Sequence, residues 1–270
     1  MGERPQFFPS GNVQLFGVLH EPVDGTGEAF VFCHPFGEEK LWTHRVLVQF
    51  ARRLAILGHT VLRYDARGTG DSDGDLASGS IADDLADLRA AIDFVRQRTG
   101  QARVTLLGLR LGATLAALGS ASWPDVARQI LWAPIVNGER YAQELLRINL
   151  ATQLAVHREV REDRQALVTA MRAGTPVNVD GYLLGATRYD DLQQVQPGRQ
   201  PLAFAGPSLV LRVERMATPP PQPELTAFVD ALGAATLQVV REEPFWKEIA
   251  ELYEEAPQVY EATMTWLEER

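Results

Sequence analysis

The residues best placed to do chemistry lie in Gly108-Leu109-Arg110-Leu111-Gly112, between the apolar run 104–107 and an Ala/Leu-rich stretch beginning at Leu111. An apolar strand, a glycine-flanked turn and a helix have the layout of a nucleophile elbow, whose apex serine stands above a sheet. Here the apex residue is Arg110. A guanidinium stays protonated and presents only donors, so it cannot attack a carbonyl. The scaffold of a hydrolytic site is written into the sequence, and its nucleophile is not.

Arg110 carries a constraint of its own. It sits at the start of a predicted helix, where the macrodipole disfavours a cation, and burial without a partner would cost more still. It therefore needs an anion. Glu38 and Glu39, on the predicted loop 34–40, are candidates for a bidentate pair, and Asp65 and Asp71 are further ones. Two arrangements satisfy the charge. In the simpler, Arg110 forms a structural salt bridge with Glu38 or Glu39 and locks a dead pocket. In the other, the pair lines a site where Arg110 holds a carboxylate, phosphate or acidic sugar.

The partners of a serine nucleophile are also hard to find. Chain order should run nucleophile, acid, histidine. The histidines are His20, His34, His44, His59 and His157, so none follows the last predicted strand. Glu243-Pro244-Phe245-Trp246 stands where that histidine would be, with Phe245 and Trp246 filling its space. Glu214 occupies the acid position without a histidine to orient. The backbone donors of an oxyanion hole would come from Leu111 and from the Pro35-Phe36-Gly37 loop, and they can persist without the serine. Should chemistry remain, Glu38, Glu39 or His34 would have to activate water or substrate. No residue is assigned a catalytic role on this reading.

Around these positions the hydrophobic pattern alternates between strands and helices. Continuous apolar runs at 29–33, 60–64, 104–107, 129–132, 208–213 and 235–240 read as strands, most of them buried on both faces. Two strand-like runs lie within 6–22, and the second, 13–20, reads as a hairpin partner at the sheet edge. Helical spacing marks 42–57 (Val46, Phe50, Leu54 and Leu57 inward), 80–98, 111–118, 224–232 and 256–267. This alternation predicts an α/β fold, a mostly parallel sheet with helices on both faces. From Asn137 the rhythm changes to helices at 141–156 and 164–172, an extended piece at 175–183 and more helix to 195. Residues 137–197 are read as an inserted helical lid, with 1–136 and 198–270 as the core. Asn137, Arg147 and Tyr182 belong to this lid and could meet a ligand, although Tyr182 more simply packs.

The remaining candidates have plainer readings. Cys33 ends a buried strand as a small hydrophobe, Ser72 is a turn hydroxyl, and His157 lies at the surface. Asp83-Asp84 and Glu254-Glu255 read as solvated helix faces. With one cysteine there is no disulfide framework, and no cluster suggests a metal or cofactor. A net charge of −9 over 270 residues argues against a nucleic-acid binder. No run approaches a membrane span and no leader precedes the first strand, so a cytoplasmic protein is expected, with homo-oligomers left open.

The order of elements resembles the α/β-hydrolase fold over nearly the whole chain. A closer resemblance is to the exosortase A system-associated hydrolases of the second type. It rests on Pro35-Phe36-x-Glu38-Glu39, Gly70-Asp71-Ser72-x-Gly74-Asp75, Gly108-Leu109-Arg110-Leu111-Gly112-Ala113, Val136-Asn137-Gly138 and Pro244-Phe245-Trp246. In that family an arginine stands at the serine position. The resemblance implies a link to exopolysaccharide and protein-sorting loci, and its "hydrolase" rests on fold analogy. The resulting expectation is a pseudo-hydrolase that binds a small acidic or acylated ligand, or a partner protein. Its binding residues would be Arg110, Leu111, Phe36, Gly37, Glu38, Glu39, Asn137 and Trp246. The alternative is an unconventional ester or acyl hydrolase or transferase.

Overall fold

A computed structural model describes residues 1–25, 27–216, 218–247 and 252–269. The apolar runs become one eight-stranded sheet in the order β1 (Gly2–Ser10), β2 (Val13–Glu21), β4 (Thr60–Tyr64), β3 (Ala29–Cys33), β5 (Val104–Leu109), β6 (Val126–Trp132), β9 (Ser208–Glu214), β10 (Ala235–Arg241). β1, β2 and β4 pair antiparallel, and from β4 onward every pairing is parallel. β3 and β5 are buried at every residue, as central strands covered on both faces must be.

Helices cover the sheet from two sides. α1 (Glu38–Ile56) and α8 (Pro257–Glu268) bury Val46, Phe50, Leu54, Val259 and Trp266 against Phe32, Leu107 and Trp132. On the other face, α2 (Ile81–Thr99), α3 (Leu111–Ser120) and α7 (Pro223–Leu232) pack Leu88, Ile92, Ala113, Ala117 and Phe228 over Val31, Leu106 and Val210. α2 starts where a capping box fixes it: Ser80 Oγ accepts the Asp83 N–H while Asp83 accepts the Ser80 N–H. Gly100, in the left-handed conformation, ends it.

Between β6 and β9 the chain forms α4 (Gly138–His157), α5 (Arg164–Arg172), the small hairpin β7 (Val177–Val179) with β8 (Tyr182–Leu184), and α6 (Ala186–Gln194). These elements share an apolar cluster of their own. Tyr141, Leu145, Leu167, Met171, Val179 and Leu192 pack together and against Phe36, Leu111 and Leu115 of the sheet-bearing part. The segment is therefore seated directly over the turn at Arg110.

Four sequence expectations need correction. Glu38, Glu39 and Lys40 are the first turn of α1 and not loop; two acids there complement the helix dipole. Leu57 is the C-cap of α1 and 53% exposed, so it does not join the inner face. The edge of the sheet is β1, because β2 pairs with β4 on its other side. Asp84 is buried, not solvated: it receives two hydrogen bonds from Arg188 of α6. Nothing in local sequence marks that pair, whose members are 104 residues apart.

Candidate functional site

The turn between β5 and α3 has an elbow's backbone. Arg110 lies at φ 55°, ψ −121°, a conformation that strains any residue with a Cβ. Its N–H donates to the Trp132 carbonyl at 3.0 Å, tying the apex to the end of β6. The flanking glycines are required by contact. A Cβ on Gly108 would strike the backbone of Ala113, and one on Gly112 would strike the carbonyl oxygens of Cys33 and His34. Leu111 opens α3, so its N–H has no acceptor within the helix. Gly37, at φ 63°, precedes α1 in the same way.

The Arg110 side chain is held on three sides. Nε donates to Glu39 Oε1 at 3.0 Å. Its guanidinium carbon lies 5.1 Å from the Trp246 ring centre and 5.6 Å from that of Tyr141. The second oxygen of Glu39, Oε2, accepts from the Tyr141 hydroxyl at 3.1 Å. Burial pushes the Glu39 carboxyl above the usual range, although Arg110 and Tyr141 pull it back. The Tyr141 phenol is driven well up, first by burial and then by Glu39. Burial acts to lower the Arg110 guanidinium, but Glu39 and its neighbours outweigh it and the cation persists. The pair satisfies Nε alone. Among the described residues no protein acceptor meets Nη1 or Nη2, and 14% of the side chain remains exposed.

That exposure is to a cavity of about 450 Å³. Arg110, Glu39 and Trp246 form one end, with Phe36, Gly37, Glu38 and Trp42 beside them. One face of α4 supplies the long wall, and Val179 and Asp180 at the turn of the β7–β8 hairpin close the far side. Lys247 also contributes. Lining charges of both signs are present, so the cavity has no strong overall polarity. What it offers is a fixed fork of donors at one end and apolar side chains along α4.

The sequence candidates thus divide. Arg110, Phe36, Gly37, Glu38, Glu39 and Trp246 come together around this cavity, and so does Arg147. Leu111 and His34 line a different and smaller one of about 50 Å³, with Cys33, Tyr182 and Arg188. His34 is held well below its usual range, first by burial and then by Lys40 and Arg63. Asn137 is the N-cap of α4, its Oδ1 accepting the Arg140 N–H at 2.9 Å. Asp65 does not pair with Arg110: it binds Lys40 at 2.5 Å and accepts the Asp71 N–H. Ser72 accepts from Phe16 N and donates to the Asp65 carbonyl, as a turn hydroxyl would. Glu214 accepts two hydrogen bonds from Arg212. Burial pushes the Cys33 thiol up, which keeps it a neutral core group. Among the described residues no His/Cys/Asp/Glu group could hold a metal ion, and no helix is long and apolar enough to cross a membrane.

Tyr141, Trp42 and Glu144 were not singled out from sequence. The usable signal was the spacing of Tyr141, Leu145 and Ile148, which places them on one face of α4. Periodicity gives a face and not its target, so nothing pointed that face at Glu39.

With this geometry established, comparison with known proteins places the fold. The pattern of the serine aminopeptidase, S33, family (Hydrolase_4) matches residues 26–190. No curated protein sequence matches the chain. Among solved structures it is similar to Est1E from Butyrivibrio proteoclasticus with ferulic acid bound, at TM-score 0.70 and 15% identity over 98% of each chain. It is also similar to DcsB in complex with a substrate analogue, at TM-score 0.69 and 18% identity over 99% of each chain. Alpha/beta hydrolase domain-containing protein 10 from mouse aligns at TM-score 0.60 and 14% identity, over 98% of this chain and 97% of that one. At such identities the likeness is one of fold.

Proposed function

The chain belongs to the serine aminopeptidase, S33, family, within the α/β-hydrolase fold, and from that premise we propose that it binds a small acidic or acylated ligand over Arg110 without Ser-His-acid hydrolysis. One observation carries this reading: the apex of the elbow presents Nη1 and Nη2 of Arg110, which meet no acceptor among the described residues, to a cavity of about 450 Å³. A serine there would deliver an electron pair to a carbonyl carbon. Arg110 instead delivers N–H donors to a carbonyl or carboxylate oxygen, with Glu39 fixing the guanidinium plane. Trp246, which the sequence reading puts in place of a late histidine, packs against that plane. Residues 137–197 act as a lid whose α4 face completes the site. The motifs shared with the exosortase A-associated hydrolases support a place in exopolysaccharide or protein-sorting systems, and that family's arginine at the apex fits a binding role.

An unconventional hydrolase using Glu38, Glu39 or His34 is the weaker reading. Both Glu39 oxygens are engaged, and His34 lines the other cavity. Calorimetric titration with short carboxylic acids, paired with assays on short p-nitrophenyl esters, separates the two. Binding that is lost in Arg110→Gln, with ester turnover at background, is the expected result. Rapid turnover that disappears in Glu39→Gln would overturn it in favour of the enzyme.

A further inference from the structure

We propose that the ligand is a linear amphiphile, its carboxyl or acyl head on Arg110 and its alkyl tail lying along α4. This rests on the reading of Arg110 as the head-group site and adds the shape and chemistry of the remainder. The α4 residues that line the cavity are Tyr141, Glu144, Leu145, Arg147, Ile148 and Ala151. Four of them, Tyr141, Leu145, Ile148 and Ala151, follow a three-to-four-residue spacing and form a single stripe. Exposure rises steadily along that stripe. Tyr141 is 3% exposed, Leu145 5% and Ile148 37%, and Ala151 is open to solvent. The cavity is therefore deepest beside Arg110 and opens toward Ala151. From Tyr141 to Ala151 the helix rises about 15 Å.

The two ends differ in chemistry. The deep end holds the donor fork and two aromatic rings, which suit a compact, flat group with oxygen acceptors. Beyond it the α4 stripe offers no side-chain hydrogen-bond partner, and Val179 on the opposite side is apolar as well. Glu144, Arg147 and Lys247 are long enough to keep their charges at the rim while their stems cover the wall. The wall facing α4 is tied in place. Asn149 Nδ2 donates to the Asn178 carbonyl at 2.7 Å, and Thr152 Oγ1 to Asp180 Oδ1 at 3.1 Å, bracing the β7–β8 turn against α4. A branched or polyhydroxylated ligand such as a sugar acid would fill the deep end and leave the apolar stripe wet. A straight chain covers it. At roughly 30 Å³ per water-sized group, the volume takes about fifteen such units, which suits a chain of about ten to twelve carbons with its head.

The experiment is a calorimetric series of straight-chain acids from butyrate to palmitate, with the methyl esters as a second arm, on the wild-type chain, Arg110→Gln and Ala151→Trp. Affinity is expected to rise about fourfold per added methylene and to level off near ten to twelve carbons. Ala151→Trp, on an exposed helix position, should leave butyrate unchanged and weaken decanoate at least tenfold. Tighter binding of the acids than the esters identifies a free carboxylate as the head, and the reverse identifies an acyl carbonyl; both support the amphiphile. Arg110-dependent binding with no dependence on chain length, or decanoate binding unaffected by Ala151→Trp, overturns the tail while leaving the head-group reading intact. Absence of Arg110-dependent binding by every acid and ester overturns both.

Discussion

The coupling between Arg110 and Glu39 can be measured, and its sign is fixed by where the two groups sit. Glu39→Leu leaves a guanidinium 14% exposed, facing two rings, with no counter-charge at Nε. Removing one member of a buried pair costs about 3–5 kcal/mol; contact with cavity water screens part of that here, giving about 2–3 kcal/mol. For a chain of this size, that lowers the melting temperature by roughly 4–10 °C. Arg110→Leu leaves the Glu39 carboxyl, which burial already raises and which loses its main opposing charge. This carboxyl takes up a proton instead, so that variant should cost less at low pH than at neutral pH. The double variant Glu39→Leu/Arg110→Leu removes both charges and leaves only the Tyr141 hydroxyl in need of a partner, at about 1–2 kcal/mol. Urea unfolding of all four proteins gives the cycle, and the double variant should be more stable than the sum of the singles by at least about 1.5 kcal/mol. Additive losses would refute the pairing argument. They would mean that Arg110 is solvated well enough by the cavity to need no anion.

Other expectations follow from single contacts. His20 is fully buried and its pKa is held down to about 4, chiefly by burial and then by Arg63. The native state therefore binds fewer protons there than the unfolded chain, so up to about 3 kcal/mol is present above pH ~6.5 and lost as pH falls toward ~4; denaturant titrations of His20→Gln should show a flatter acid limb. Gly112→Ala drives a Cβ into the Cys33 and His34 carbonyl oxygens, and expression with thermal melting should show destabilisation of at least about 3 kcal/mol. Arg188→Met should cost about 3–5 kcal/mol by stranding the buried Asp84, whereas Arg188→Met/Asp84→Leu should recover most of it, as read by urea midpoints. Carboxylate affinity should fall as pH rises beyond the usual carboxylate range, because a bound anion beside Glu39, Glu144 and Tyr141 raises the Glu39 carboxyl further, so that binding is coupled to proton uptake. Calorimetry in buffers of different ionisation enthalpy counts that proton.

Strands were the most legible part of the chain. The bounds of β3 and β4 follow directly from apolar runs set between polar turns, and α2 lies within one residue at each end of the 80–98 that its apolar spacing marks. The start of α1 was not legible. Glu38-Glu39-Lys40 has no apolar residue to set a helical phase, and that phase decides which acid meets Arg110. The demand of Arg110 for a carboxylate could be read from its position in the turn. The choice of Glu39 over Glu38, Asp65 and Asp71 could not, because it also depends on Lys40 occupying Asp65. Tyr141 and Arg188 find their partners 102 and 104 residues away in sequence. Contacts of that range depend on how α4 and α6 are seated over the sheet, and local propensity carries no record of it.

The backbone at Arg110 clarifies why an elbow persists around a residue that cannot attack. The positive φ is imposed by neighbours: the Arg110 N–H held by Trp132, Gly108 pressed against Ala113, and Gly112 against Cys33 and His34. Such strain costs about 1–3 kcal/mol whatever side chain stands there, provided it has a Cβ. A helix N-terminus adds a further penalty for a cation, about 0.3–1 kcal/mol. Glu39 offsets the second cost, and it does so from the first turn of α1, where its own charge is favoured by a dipole. The two helix ends thus converge on one ion pair that is nearly neutral overall. A neutral pair has little long-range pull on an anion, so recognition must come from short-range hydrogen bonds at Nη1 and Nη2 and from apolar contact along α4. Affinity for a chain-length series should accordingly respond weakly to ionic strength and strongly to tail length. The opposite ranking would mean that the ligand is drawn by charge, and that Glu39 yields Arg110 when it arrives.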